Sequence, residues 1–144
     1  MHFFSAPKNK AFLKISFLCH INMNITLIST STYPADQGLR TISACLKRAK
    51  HNVKMIFLPY SEDYSKLYPN EVLEDLKEQT KNSSLIGINA MASTSKRAGQ
   101  LISLFNSLNI PVVWGGPHPT FFPEECFKLC NIICIGEAED AFIE

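Results

Sequence analysis

The side chains of this chain best equipped for chemistry stand in four short stretches. They are STSTYPADQG from Ser29 to Gly38, MASTS from Met91 to Ser95, GGPHPT from Gly115 to Thr120 and GEAED from Gly136 to Asp140. Serine and threonine hydroxyls make hydrogen bonds without bulk, and paired glycines let a ligand come close to the backbone. Carboxylates beside them serve a polar ligand edge or cap a helix start, and Asp36, Glu137, Glu139 and Asp140 read first as caps. This is equipment for holding a molecule. No stretch pairs a nucleophile with a base, so the segment alone is expected to catalyse nothing.

Two metal readings fail on the same inspection. Cys126, Cys130 and Cys134 are spaced C-x3-C-x3-C, which is not the C-x3-C-x2-C run that holds a four-iron cluster. Cys134 also falls inside the apolar run IICIG, so all three read as small buried hydrophobes. His118, between two prolines, reads as a loop residue bonded to backbone rather than as a metal ligand. On spacing alone, Gly115-Gly116 serves equally well as a tight turn or as a place of close ligand approach.

These stretches must be positioned by something, and the chain supplies a β-α rhythm. Five apolar, β-branched runs (residues 24–30, 53–59, 85–91, 111–116 and 132–137) alternate with segments of helical period. Leu39, Ile42, Leu46 and Ala49 share one helix face. Ala98, Leu101, Ile102, Phe105 and Leu108 share another, with Lys47, Arg48, Lys96 and Arg97 left for solvent. Asn70 is expected to cap a helix over NEVLEDLKEQT, Pro123-Glu124-Glu125 to open another, and a last helix to begin near Ala138. Strands apolar on both faces call for a parallel sheet between helices. The expected fold is therefore α/β: a flavodoxin-like, three-layer, doubly wound sheet of five parallel strands in the order 2-1-3-4-5. In such a sheet ligands bind beyond the carboxyl ends of the strands. All four stretches lie there.

Composition removes whole classes of function. With 46% hydrophobic and 19% charged residues, the 144-residue chain suits one domain with a core. A net charge of +1 offers nothing to nucleic acid or to an anionic membrane. No apolar run nears the roughly 18 residues of a membrane span. Lys8, Lys10 and Lys14 precede an apolar run from Ile15 to Ile21, but His20 interrupts it and no small-residue cleavage site follows. A cytoplasmic location is expected, the odd count of five cysteines agreeing with a reducing compartment. Residues 1–22 read as an extension that the fold does not require.

GGPHPTFFPEE followed by IICIGEAEDAF, together with ADQGLRTISACLKRAKHNV, gives residues 23–144 a family likeness. The segment resembles the cobalamin-binding domain that precedes the catalytic barrel in many cobalamin-dependent radical S-adenosylmethionine (SAM) enzymes. The resemblance implies that the nucleotide tail of cobalamin slides between sheet and helices while the corrin lies over the strand ends. Ser93 and Thr94 would then bond the tail, and Gly115 and Gly116 would leave room for it. Pro117, His118 and Thr120 would line the rim, with Gly136 and Glu137 on the far side. It further implies that the iron–sulfur cluster and SAM belong to a downstream or partner domain, before which this segment stops. One departure stands out. The related D-x-H-x-x-G motif places a histidine after the first strand, where this chain reads YPADQGLR, so no protein ligand to the metal is expected. His118 is the one histidine near the rim, and its flanking prolines restrict its reach. Two alternatives are a flavodoxin-like domain holding flavin mononucleotide through the hydroxyl-rich first loop, and a cofactor-free interaction domain.

Overall fold

A computed structural model describes residues 3–5, 22–31, 36–59, 63–136 and 138. Each apolar run forms a strand: β2 (Asn24–Ser29), β3 (Asn52–Phe57), β4 (Leu85–Asn89), β5 (Val112–Gly115) and β6 (Ile132–Cys134). They pair in parallel in the order β3-β2-β4-β5-β6, which is the expected 2-1-3-4-5 arrangement. Among the described residues of the 1–22 segment, residues 3–5 add a further strand. The short β1 (Phe3–Ser5) runs antiparallel along β6, Phe3 opposite Cys134 and Ser5 opposite Ile132, and makes the sheet six-stranded. The parallel strands stop one to three residues before the apolar runs do.

The helices are α1 (Gln37–Arg48), α2 (Asn70–Thr80), α3 (Ser95–Ser107), α4 (Pro117–Phe121) and α5 (Pro123–Cys126). Helix α1 starts where the Asp36 carboxylate accepts from the Leu39 amide at 3.0 Å. Lys47 and Arg48 stand in its last turn, where cations favour the dipole. Helix α3 ends on Asn109 with φ 56°, and the Ile110 amide returns to the Phe105 carbonyl at 3.0 Å. Asparagine tolerates that left-handed closure. Helix α2 differs from expectation at its start. Pro69 (φ −67°) occupies the cap with no side-chain bond, and Asn70 is the first helical residue; the ring itself fixes the entry angle.

Arg97 also departs from expectation. It is only 1% exposed, its guanidinium 5.4 Å from the Tyr64 ring centroid and 5.0 Å from that of Tyr68. Its Nε donates to the Lys66 carbonyl and an Nη to the Asp63 carbonyl, both at 2.8 Å. Aromatic faces and loop carbonyls replace the water assumed for an exposed cation.

The described residues cover the two faces of the sheet unequally. On one, Ile28, Ile86, Ile88, Trp114 and Ile133 pack against Leu76 of α2 and Ala98, Leu101, Ile102 and Phe105 of α3. At roughly 1.5–3 kcal/mol for each large side chain removed from water, this is the principal core. On the other face Ile25, Leu27, Leu85, Val113 and Cys134 meet Leu39 and Leu46 of α1, with Ala138 beside them. Among the described residues, no second helix packs on that face.

Candidate functional site

Among the described residues a cleft of about 550 Å³ lies between α1 and the carboxyl ends of β2, β4, β5 and β6. Its floor follows from register. Leu27, Gly87 and Val113 are neighbours in one row across the sheet, and Ser29, Asn89 and Gly115 form the next row, two residues nearer the carboxyl ends. Two of these six positions carry no side chain; Leu27 leans over Gly87, where a Cβ would stand 2.7 Å from the Leu27 Cδ2, so the floor is bare at Gly115. Leu39 and Ile42 of α1 form one wall and Cys134 and Ala138 the other. Met91 and Phe121, 53% and 75% exposed, stand at the mouth.

A knot of hydrogen bonds closes the end of the cleft nearest α1. The Asp36 Oδ2 accepts from Ser29 Oγ at 2.7 Å and from Asn89 Nδ2 at 2.6 Å, while Oδ1 holds the Leu39 amide. One carboxylate thereby caps a helix and joins it to two strands. Asp36 is the sole charged side chain among the described residues that line the cleft.

The glycine pair divides into two roles. Gly116 has φ +103°, and a Cβ there would collide with Asn89 Oδ1 and stand 2.9 Å from the Ala90 carbonyl oxygen. Backbone and packing both require glycine at that turn. Gly115 has no such demand: a Cβ there would meet the Cys134 Cβ at 3.7 Å, an ordinary contact. Its missing side chain leaves room in the cleft.

GGPHPT is not a loop, because Gly116 caps α4, whose first residue is Pro117. The His118 amide donates to the Ala90 carbonyl at 3.2 Å. Thr120 Oγ1 donates to the Gly116 carbonyl at 2.9 Å and accepts from the Gly136 amide at 3.1 Å, joining α4 to the exit of β6. Gly136 takes φ +78° there.

Five of the residues singled out in sequence, Gly115, Gly116, Pro117, Thr120 and Gly136, line the cleft. Three are placed elsewhere. Ser93 is exposed on a 3-10 turn (Ala92–Thr94). Thr94 is buried, its hydroxyl 2.7 Å from that of Thr30 and its Oγ1 accepting from the Met91 amide. His118, 5% exposed, lies beneath the rim with its ring 5.5 Å from Trp114 and 5.4 Å from Phe122. The expected bond from its ring to backbone is not made; neither ring nitrogen has a partner among the described residues. Glu137, Glu139 and Asp140, and the helix expected near Ala138, lie outside the described residues apart from Ala138 itself. Sequence reasoning missed Gly87, Asn89 and Phe121 as lining residues, gave Met91 no role within its stretch, and saw Asp36 only as a cap. Asp36 stood in a stretch already bordering a strand end and Asn89 was the one amide in the apolar run 85–91, two residues before the next stretch, which was the available signal.

The cysteines divide between the faces. Cys126 and Cys130 are buried in the α2–α3 core and Cys134 on the cleft side. Burial pushes the Cys126 thiol up to about 11, with Glu125 and Cys130 adding to it, and burial likewise pushes Cys130 up to about 11. Such thiols are poor nucleophiles and poor ligands at neutral pH. No described helix is long and apolar enough to cross a membrane.

No curated protein matches the chain. Among solved structures, it is similar to a carbon-sulfur lyase involved in aluminum resistance from Clostridium novyi NT. The two are 13% identical with a TM-score of 0.46, and the match covers 72% of this chain and 27% of that one. A likeness so remote carries no argument about function. The family comparison carries more, since the model for the B12 binding domain matches residues 23–144. That span contains all five parallel strands, α1 and every described wall of the cleft, and the chain belongs to the B12 binding domain family.

Proposed function

We propose that this chain binds cobalamin in the cleft over β4 and β5 and serves as the cobalamin-binding module of a radical SAM enzyme of methyltransferase or cyclase type. The observation that carries the binding reading is Gly115, a strand-end residue whose missing side chain no backbone angle or close contact explains. The volume falls in the range of ligand sites, about 300–1,000 Å³. A slot with apolar walls and a glycine floor suits a flat aromatic base such as that of the cobalamin tail. Gly115 and the Leu27 side chain packed over Gly87 would lie under the tail, Leu39 and Ile42 over it, and Met91, Pro117 and Phe121 beside the opening. Cobalamin, when bound, supplies a cobalt centre for methyl transfer or radical chemistry. This chain's part is to orient it and keep water from the tail. The iron–sulfur cluster and SAM would belong to another domain.

The donor set disfavours flavin mononucleotide. A phosphate at the start of α1 would need free amides there, but the Leu39 amide already serves Asp36, whose negative charge would face the phosphate. Protein mixed with hydroxocobalamin and desalted should keep a pink chromophore, while flavin mononucleotide should wash through. Retained flavin without corrin would reverse the assignment, and retention of neither would favour a cofactor-free interaction domain.

His118 would not ligate cobalt, since its ring lies among Trp114 and Phe122 and does not line the cleft. The electron paramagnetic resonance spectrum of the cob(II)alamin-loaded protein should be the same in His118→Phe. Loss of a nitrogen splitting in that variant would make His118 a ligand.

A further inference from the structure

Asn89 stands at the carboxyl end of β4 with its amide held one way round. Its Nδ2 donates to the Asp36 Oδ2 at 2.6 Å, so the NH2 group is the side of Asn89 that faces Asp36. Asp36 cannot readily turn, because Ser29 Oγ and the Leu39 amide fix its two oxygens. The Asn89 carbonyl oxygen is thereby directed away from α1. It lies against the bare face of Gly116, at a wall of the cleft, and accepts no hydrogen bond from a described residue. An amide oxygen fixed in this way can receive a donor and cannot offer one.

We infer that Asn89 determines specificity: its Oδ1 accepts a hydrogen bond from an uncharged N–H or O–H donor of the ligand, and Asp36 is the positioning residue that keeps it so. This rests on the cobalamin reading and extends it. Cobalamin carries two kinds of suitable donor, the side-chain amides of the corrin and the ribose hydroxyl of the tail. A carboxylate at the same place would set negative charge against an acceptor oxygen with Asp36 close behind it, and would be rejected. A site built around a hydrogen bond discriminates against analogues that cannot make it, because the ligand then covers the acceptor without pairing it.

The test is a cycle of ligand and protein changes read by equilibrium dialysis, with thermal melts as a control for folding. The ligands are hydroxocobalamin, its separated monocarboxylic acids (one corrin amide hydrolysed in each) and cobinamide, which lacks the nucleotide. The proteins are wild type, Asn89→Ala and Asp36→Asn; the last preserves size but lets the amide at 89 turn over. Asn89→Ala should bind hydroxocobalamin about five- to tenfold more weakly. If the donor is a corrin amide, wild type should bind one monocarboxylic acid at least about tenfold more weakly than the parent, and both variants should narrow that gap. If it is the ribose hydroxyl, Asn89→Ala should weaken hydroxocobalamin and leave cobinamide unchanged. An equal loss for every ligand, or no loss, overturns the assignment of Asn89 while leaving the cobalamin reading intact. Should Asn89→Ala fail to fold, Asp36→Asn and the wild-type ligand series decide the same question. Wild type that binds none of these ligands overturns both readings.

Discussion

The two faces of the sheet are built from the same strands and differ in what fills them. Trp114 and Gly115 are adjacent in β5. Trp114 is 1% exposed and packs into the α2–α3 core, while Gly115 turns to the other face and leaves the α1 side open. One face is filled for stability. The other keeps a vacancy at the strand ends, where parallel sheets bind ligands. Side chains should therefore matter for folding on the first face and for binding on the second.

The largest effect on the fold is expected from Trp114→Ala, which empties the filled face. It should cost about 3–5 kcal/mol in urea unfolding. A loss under about 1 kcal/mol would mean that the two faces are equally loose.

Gly116→Val comes next, at about 3 kcal/mol, because it adds strain at φ +103° to a collision with Asn89 and the Ala90 carbonyl. The loss should already be present without ligand, since this glycine serves the turn, and should grow with hydroxocobalamin, since the same collision displaces the Asn89 Oδ1. A loss seen only with ligand present would move Gly116 to the binding side of the comparison.

Asp36→Ala removes a helix cap and the link between α1, β2 and β4, and about 1–2 kcal/mol should go with it. Asp36→Asn should lose less, since an amide oxygen can still cap α1. Equal losses would show that the charge, rather than the cap, holds the knot.

The filled face also has a signature in pH. Burial raises the Cys126 and Cys130 thiols from the ordinary 9.0 to about 11, so the folded chain keeps protons that the unfolded chain releases. Their contribution is whole below pH 9 and is lost as pH rises through 11. Stability measured in urea should fall across that window, less steeply in Cys130→Val. Identical slopes would mean that this thiol titrates normally.

The parts of this comparison that sequence made legible are those encoded locally. Runs such as LIGINAM and PVVWGG pointed to strands because apolar, β-branched residues in succession suit a sheet covered on both sides. Asp36 was visible as a cap because its partner, Leu39, is three residues away. The link from Asp36 to Asn89 was not, since it joins residues 53 apart in the chain and exists only once β2 and β4 are paired. Arg97 was assigned to solvent on its charge, and only the folded loop of residues 63–68 supplies the carbonyls and rings that bury it. Gly115 and Gly116 were inseparable as a dipeptide. Their difference lies in a backbone angle and in what a Cβ would touch, neither of which composition records.

Gly115→Val gives the central claim its most direct test. A branched side chain suits a strand end, and the nearest atom to its Cβ is an ordinary 3.7 Å away. Unfolding free energy should stay within about 1 kcal/mol of wild type. Hydroxocobalamin affinity, measured by equilibrium dialysis on the same samples, should fall more than about tenfold as the side chain enters the cleft. A variant that folds and binds hydroxocobalamin as wild type does would contradict the account, because the vacancy over β5 would then serve no ligand.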